Sequence, residues 1–363
     1  MSKRFTTALT AAGLLLAVWV RPVLAEVAPQ EHRLANARLA LTVQRQGAII
    51  SDVRLRPEGA NLLADPAVAD PVMFGHFLCF DRWGQVAPEA AARGIPFHGE
   101  AVRLPWRWTE LSARSVGQEV TLPIGGLSAR RQVRLTERDP VYAVTLEVTN
   151  STPETKAYTA VEHATLGEVW LHDEVRLSSN ARQGLVHTSP QPKVAIAPDW
   201  ESVFTWPFAR VHGRTVDLRE TPGPGPRFLV SLMFADETEW AWIFQIDRTS
   251  GDLIGYVWSP TDYPWLMLYY SRGARRFLNR SIEFGTTGLY LPRPQLAKIG
   301  QFLDRPVLAH LAPGDSRQHR FWGFACKVPP GASAVTQVTV ESDGVRLAFD
   351  QGEAMHLQLP DPE

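Results

Sequence analysis

The sequence of 363 residues contains only two cysteines, Cys79 and Cys326. They form neither a CxxC pattern nor a cysteine-based zinc set, which argues against both kinds of cysteine site. A chain of this length can bury a large apolar core without a cross-link. The two could pair in an oxidising compartment. We nevertheless expect two buried, unpaired thiols.

An excess of charge of one sign is also missing. The chain has 37 Lys and Arg against 38 Asp and Glu, and the two signs are interspersed. Because no basic stripe is present, we expect no nucleic-acid partner. Beyond the first 25 residues no apolar run approaches the roughly 20 residues that a membrane helix needs. We therefore expect no membrane span in the mature chain.

The first 25 residues have the parts of a secretory signal peptide. Lys3 and Arg4 precede an apolar stretch at residues 11–20, and small residues lead up to Ala25. The stretch is too short to span a bilayer, although a retained anchor is the alternative. We expect cleavage near Ala25 and Glu26, and a mature protein in the periplasm or outside the cell.

Helical periodicity is scarce, being limited to short stretches near residues 90 and 298, whereas alternation of apolar residues with period two dominates. It is clear at residues 38–43, 141–150 and 335–350, the last with an Asp343-Gly344 turn between two strands. The 28 prolines and 26 glycines are spread along the chain, so no linker stands out. We predict a single all-β domain over residues 26–363. It would be a large antiparallel two-sheet β-sandwich with few short helices.

Titratable side chains stand in several apolar, aromatic-rich stretches: "CFDRWG" (79–84), "IPFHGEA" (95–101), "TAVEHATLG" (159–167), "WSPTDYPW" (258–265) and "RSIEFGTTG" (280–288). Burying such groups costs free energy unless they are paired or used. Aromatic rings beside carboxylates also suit sugars, whose C–H faces pack on rings while their hydroxyls bind charged groups. The candidate site residues are Arg82, His98, Glu100, His163, Asp262, Trp265 and Glu283.

Five of these candidates also have a structural alternative. Arg82 could form an ion pair with its neighbour Asp81, and Asp262 lies in Ser-Pro-Thr-Asp, which is good turn chemistry. The alternative for His163 is a pair with Glu162. For Glu283 it is a pair with Arg280 or Arg272, and for His98 a hydrogen bond within a loop.

In order and type, these stretches resemble the motifs of the aldose 1-epimerases and the wider galactose mutarotase-like superfamily. The resemblance covers about residues 34–350. "NARLALTVQRQGAIISDVRL" is similar to the opening strands of that superfamily. "FHGEA" is similar to its histidine-glycine motif, and "EHATLG" to its second histidine motif. We expect this chain to be a divergent, secreted member.

The resemblance implies a chemistry in which the sugar ring opens and closes. Glu283 would be the base that removes the proton of the anomeric hydroxyl, and His163 the acid that protonates the ring oxygen. His98 would orient the ring oxygen or share the acid role. The residues expected to bind the sugar are Arg82, Asp262, Glu100 and Trp265.

We expect no cofactor and no metal. A metal set of His98, Glu100, Glu162, His163 and Glu283 is conceivable, but no HExxH-type spacing supports it. Because a fold hosts many functions, two other functions remain open. One is a polysaccharide lyase or another sugar enzyme, in which Arg82 or a metal would neutralise the carboxylate of the substrate. The other is a non-catalytic carbohydrate-binding envelope protein.

Overall fold

A computed structural model describes residues 28–55, 59–65, 73–189, 196–221, 225–272 and 278–360. The predicted signal peptide and its cleavage point at Ala25 and Glu26 lie outside the described residues. In the described part no helix is long and apolar enough to cross a membrane.

The described residues form 27 strands, numbered here in chain order. The first nine are β1 (Glu31–Ala35), β2 (Leu39–Gln44), β3 (Ile50–Leu55), β4 (His76–Phe80), β5 (Arg107–Leu111), β6 (Ser115–Thr121), β7 (Leu127–Leu135), β8 (Val141–Asn150) and β9 (Lys156–Tyr158). The next nine are β10 (Ala160–Thr165), β11 (Val175–Ser179), β12 (Gln183–Thr188), β13 (Ala197–Thr205), β14 (Phe208–Val211), β15 (Arg214–Asp217), β16 (Gly225–Met233), β17 (Ala241–Asp247) and β18 (Asp252–Trp258). The last nine are β19 (Trp265–Arg272), β20 (Leu278–Gly285), β21 (Gln301–Phe302), β22 (Arg305–Pro306), β23 (Ala309–Leu311), β24 (Ser316–Lys327), β25 (Val335–Glu341), β26 (Gly344–Phe349) and β27 (Met355–Leu357).

Two large antiparallel sheets dominate the described chain. One has ten strands in the order β1-β2-β3-β4-β10-β20-β19-β16-β12-β13, and the other has eight in the order β11-β17-β18-β24-β8-β7-β6-β5. The smaller sheets are β25-β26-β27 and the pairs β14-β15, β21-β22 and β23-β9. This arrangement confirms the predicted all-β, two-sheet architecture.

The helices are short, as expected. They are α1 (Pro88–Ala92) and α2 (Arg293–Ile299), with 3₁₀ turns at Ala101–Arg103 and Glu168–Trp170. The predicted hairpin near the end of the chain is β25-β26, but Glu341 pairs with Gly344, so its turn is Ser342-Asp343. That is one residue earlier than predicted.

Apolar side chains fill both faces of the ten-stranded sheet. Its inner face packs against the eight-stranded sheet in the main core, where Leu78, Phe80 and Phe284 are buried. Its outer face carries a second core that includes Phe77 and Met267. Strand side chains alternate between faces. The side chain of a residue on β4, β10 or β20 therefore points either into the core between the sheets or to the outer face.

The two cysteines are buried and unpaired, which confirms the expectation. Cys79 lies on β4 in the ten-stranded sheet, and Cys326 lies on β24 in the eight-stranded sheet.

Candidate functional site

His163 and Glu283 meet directly across two neighbouring strands. In the antiparallel register of β10 and β20 they lie opposite each other, both on the outer face of the ten-stranded sheet. His163 Nε2 is 3.2 Å from Glu283 Oε1. The predicted acid and base, 120 positions apart in the sequence, are thus brought into contact.

The Glu283 carboxylate is surrounded by donors. The indole N–H of Trp83 donates to Oε2 at 2.7 Å, and the hydroxyl of Ser281 donates to Oε1 at 2.6 Å. The residue is 2% exposed. A carboxylate held by two donors, with His163 beside it, has a fixed orientation, which a positioned base requires. Trp83 and Ser281 were missed as site residues, although each lies within two positions of a residue that was predicted.

His163 is held on both sides of its ring. Its Nδ1 is 3.3 Å from the hydroxyl of Thr165, and its ring stacks on Phe77 with the centroids 4.3 Å apart. Burial lowers the pKa of His163, and the nearby Glu283 carboxylate partly opposes that lowering. The side chain remains 14% exposed, so it borders the cavity rather than the closed core.

His98 enters the same site from a tight turn. Its backbone φ is 65° and that of Gly99 is 83°, so two successive residues are in the left-handed region. A Cβ on Gly99 would come within 2.2 Å of the Phe80 carbonyl oxygen, so glycine is required there. The turn brings the imidazole ring of His98 to 5.7 Å from that of His163, centroid to centroid. Burial, reinforced by His163, lowers the pKa of His98 well below its ordinary value.

These three side chains line a cavity of about 410 Å³. This volume lies within the usual range of roughly 300–1,000 Å³ for small-molecule sites. Aromatic rings form much of its wall, and most were not singled out from the sequence: Phe77, Trp83, Phe97, Tyr269 and Tyr290. Aromatic walls around a carboxylate and two imidazoles suit a small polar ligand with apolar C–H faces, such as a sugar.

Two predicted sugar-binding residues have structural partners instead. Arg82 forms a buried ion pair with Asp81, Nη1 to Oδ2 at 2.6 Å. The carboxylate of Glu100 accepts the backbone N–H groups of Ile124 and Gly125 at 3.0 and 2.8 Å. Neither residue lines the cavity. The prediction that they bind the sugar is therefore not supported by their positions.

The other two predicted sugar-binding residues also lie elsewhere. Trp265 is fully buried, and its indole N–H donates to the carbonyl of Pro306 at 2.7 Å. Asp262 borders a different cavity of about 300 Å³ and accepts the backbone N–H of Arg320 at 3.1 Å. Its turn contains a Ser259 to Thr261 hydrogen bond, so the alternative of turn chemistry describes it better.

The conceivable metal set does not converge. Glu162 neighbours His163 in sequence but points to the opposite face of β10, into the core between the sheets. There it pairs with Arg131 at 2.8 Å and His76 at 3.2 Å. Glu100 is engaged by backbone donors, as described above. The five residues thus contribute to three separate environments.

His319, next to Asp262, provides a test of acid stability. It is buried between the Tyr158 hydroxyl (2.8 Å) and the Asp262 carbonyl (3.0 Å), and burial followed by the charge of Arg317 lowers its pKa to about 4. Below pH 6.5 the imidazole of His319 therefore binds a proton more readily in the unfolded chain than in the folded protein. Between pH 8 and pH 5 the free energy of unfolding should fall by about 2 kcal/mol through this group. Urea denaturation should show that the free energy of unfolding of His319→Gln falls correspondingly less between pH 8 and pH 5 than that of the wild type. Equal losses in both proteins would contradict the prediction.

No protein-family model matches this chain, and no curated protein sequence does. Solved structures do match in fold. A galactose mutarotase-related enzyme from Lactobacillus acidophilus is 12% identical, with a TM-score of 0.58, over 81% of this chain and 97% of that one. A galactose mutarotase-like protein from Lactobacillus casei is 14% identical, with a TM-score of 0.56, over 81% and 99%. A galactose mutarotase-like protein from Clostridium acetobutylicum is 12% identical, with a TM-score of 0.58, over 82% and 95%.

The chain therefore has the galactose mutarotase-like fold, with only 12–14% sequence identity to these solved structures. The fold alone does not assign an activity.

Proposed function

We propose that this protein is a mutarotase-like enzyme that interconverts the anomers of an aldose or of the reducing end of a saccharide. The observation that carries the proposal is the contact between His163 and Glu283 on the wall of an aromatic cavity. The anomeric hydroxyl and the ring oxygen of a sugar are bonded to the same carbon. An acid and a base that serve these two oxygens must therefore be close neighbours, as these two side chains are.

In the proposed reaction, Glu283 starts as a carboxylate and His163 as an imidazolium. Glu283 takes the proton of the anomeric hydroxyl while His163 gives its proton to the ring oxygen, and the bond between the anomeric carbon and the ring oxygen breaks. The open-chain aldehyde rotates about its exposed carbon–carbon bond. The neutral His163 and the protonated Glu283 then reverse both transfers, and the ring closes with either configuration. No proton is gained or lost overall.

The surrounding residues have supporting roles in this proposal. Trp83 and Ser281 hold the Glu283 carboxylate in place, and Thr165 and Phe77 hold the ring of His163. Tyr269 and Tyr290 offer further aromatic surface to the sugar. We also propose that the enzyme works in the periplasm or outside the cell, as its predicted leader implies.

The proposal is tested by measuring anomer exchange. Magnetisation-exchange NMR on a panel of aldoses and reducing disaccharides should show interconversion faster than the same buffer alone, with saturation by at least one sugar. Because burial holds the pKa of His163 below its ordinary value, the ring is mostly neutral at pH 8, and the imidazolium becomes more abundant as the pH falls toward 6. The value of kcat/KM should therefore rise from pH 8 to pH 6. No acceleration with any sugar of the panel would remove the proposal.

His163→Gln provides the matched variant for this assay. The amide can still donate to Glu283 but cannot deliver a proton, so exchange should slow by about 10²–10⁴-fold. A variant that keeps the wild-type rate and the wild-type pH dependence would rule out His163 as the acid.

A further inference from the structure

Cys79 contacts His98, one of the two histidines of the site. Its side chain lies on the outer face of β4, fully buried, with Sγ 3.1 Å from Nδ1 of His98. The same nitrogen is 3.1 Å from the backbone N–H of Gly84. No function was predicted for this cysteine from the sequence, and the proposed acid–base chemistry does not use it.

The two contacts determine where the proton of His98 resides. A backbone N–H is always a donor, so Nδ1 must present its lone pair to Gly84. Burial and the charge of Glu283 raise the pKa of the Cys79 thiol well above its ordinary value, so the thiol keeps its proton and also donates. Two donors therefore share Nδ1, and the proton of a neutral ring must be on Nε2.

The other ring nitrogen is directed away from these donors. The His98 ring lines the cavity, and within the described residues Nε2 has no hydrogen-bond partner of its own. Position 84 also favours glycine, because its φ is 72° and a Cβ there would come within 2.2 Å of the Tyr290 ring. The Gly84 carbonyl in turn accepts the backbone N–H of His98 at 3.3 Å, which ties the Gly84 donor to the His98 backbone.

We propose that Cys79 is a positioning residue that, with the backbone of Gly84, holds His98 as its Nε2–H tautomer with that N–H directed at the ligand. His98 then donates a hydrogen bond to an acceptor oxygen of the ligand and takes no proton from it. The identity of the ligand as a sugar rests on the proposed function; the tautomer does not. The inference separates the two histidines, since His163 moves a proton and His98 only donates.

The experiment uses the full-length protein labelled with ¹⁵N in its histidines, without ligand. The His98 signals are identified by their loss in His98→Gln. We expect the proton on Nε2 in the wild type. Cys79→Ala should shift the Nδ1 resonance and weaken sugar binding, raising KM by about twofold to tenfold with kcat little changed. Cys79→Ser, which restores a donor, should recover the wild-type KM.

The matched control is Cys326→Ala, which removes the other buried thiol from the opposite sheet. It should leave the His98 resonances and KM unchanged. A proton on Nδ1 in the wild type would overturn the inference, and so would a Cys79→Ser protein that behaves like Cys79→Ala. A wild type with the Nε2 proton but no anomer exchange would support the tautomer and remove the proposed enzyme function, so the two failures are distinguishable.

Discussion

Glu283→Gln should slow anomer exchange by about 10²–10⁴-fold, which is the range that one positioned acid or base contributes. The amide has nearly the shape of the carboxylate and can still accept a hydrogen bond from Trp83. It cannot take the proton of the anomeric hydroxyl. The loss should appear in kcat, measured by magnetisation-exchange NMR at saturating sugar, and circular dichroism should show an intact fold.

Asp262→Asn is the comparison for this variant. The sequence placed Asp262 in the sugar site, whereas the structure places it beside a separate cavity, where its carboxylate accepts the backbone N–H of Arg320. Exchange should therefore be unaffected. If Glu283→Gln exchanged at the wild-type rate, the acid–base assignment would be wrong. If the wild type and Glu283→Gln bound a sugar equally and neither exchanged it, the protein would be a carbohydrate-binding protein rather than an enzyme.

The sequence predicted the fold well because alternation with period two persists through long strands such as β8. The resemblance of their motifs to those of the galactose mutarotase-like superfamily also predicted that His98, His163 and Glu283 share one site. The contact between His163 and Glu283 could not be predicted, since it depends on the register of two strands that are distant in sequence. The order of the motifs predicts that His163 and Glu283 both reach the site, but it does not predict which of their atoms are in contact.

The unsupported assignments share a physical cause. A charged residue beside an apolar run is buried or not according to its partner, and the partner is often not visible in the sequence. Arg82 is paired with its neighbour Asp81, as the structural alternative had it. Glu100 is held by the backbone of residues 124 and 125, which no side-chain pattern reveals. The alternative for His163, a pair with Glu162, fails for a simple reason: adjacent strand residues point to opposite faces.

The second large expected effect is on stability, and it concerns Glu162, on the face of β10 opposite to His163. Glu162 and Arg131 are fully buried between the sheets, and Glu162 also contacts His76. Burial alone would raise the pKa of Glu162, but Arg131 and His76 hold it below its ordinary value. Glu162→Gln leaves the charge of Arg131 without its counterion. The free energy of unfolding, measured by urea denaturation, should fall by about 3–5 kcal/mol.

The control for this loss is an ion pair at the surface. Glu119 pairs with Arg107, whose side chain is 70% exposed, and Glu119→Gln should cost less than about 1 kcal/mol because water screens the pair. The double variant Glu162→Leu with Arg131→Met removes both charges and should recover much of the stability lost in Glu162→Gln. Equal, small losses for Glu162→Gln and Glu119→Gln would show that the buried charge of Arg131 finds another partner. Because Glu162 faces away from the cavity, any Glu162→Gln protein that remains folded should retain the His163–Glu283 contact and therefore its activity.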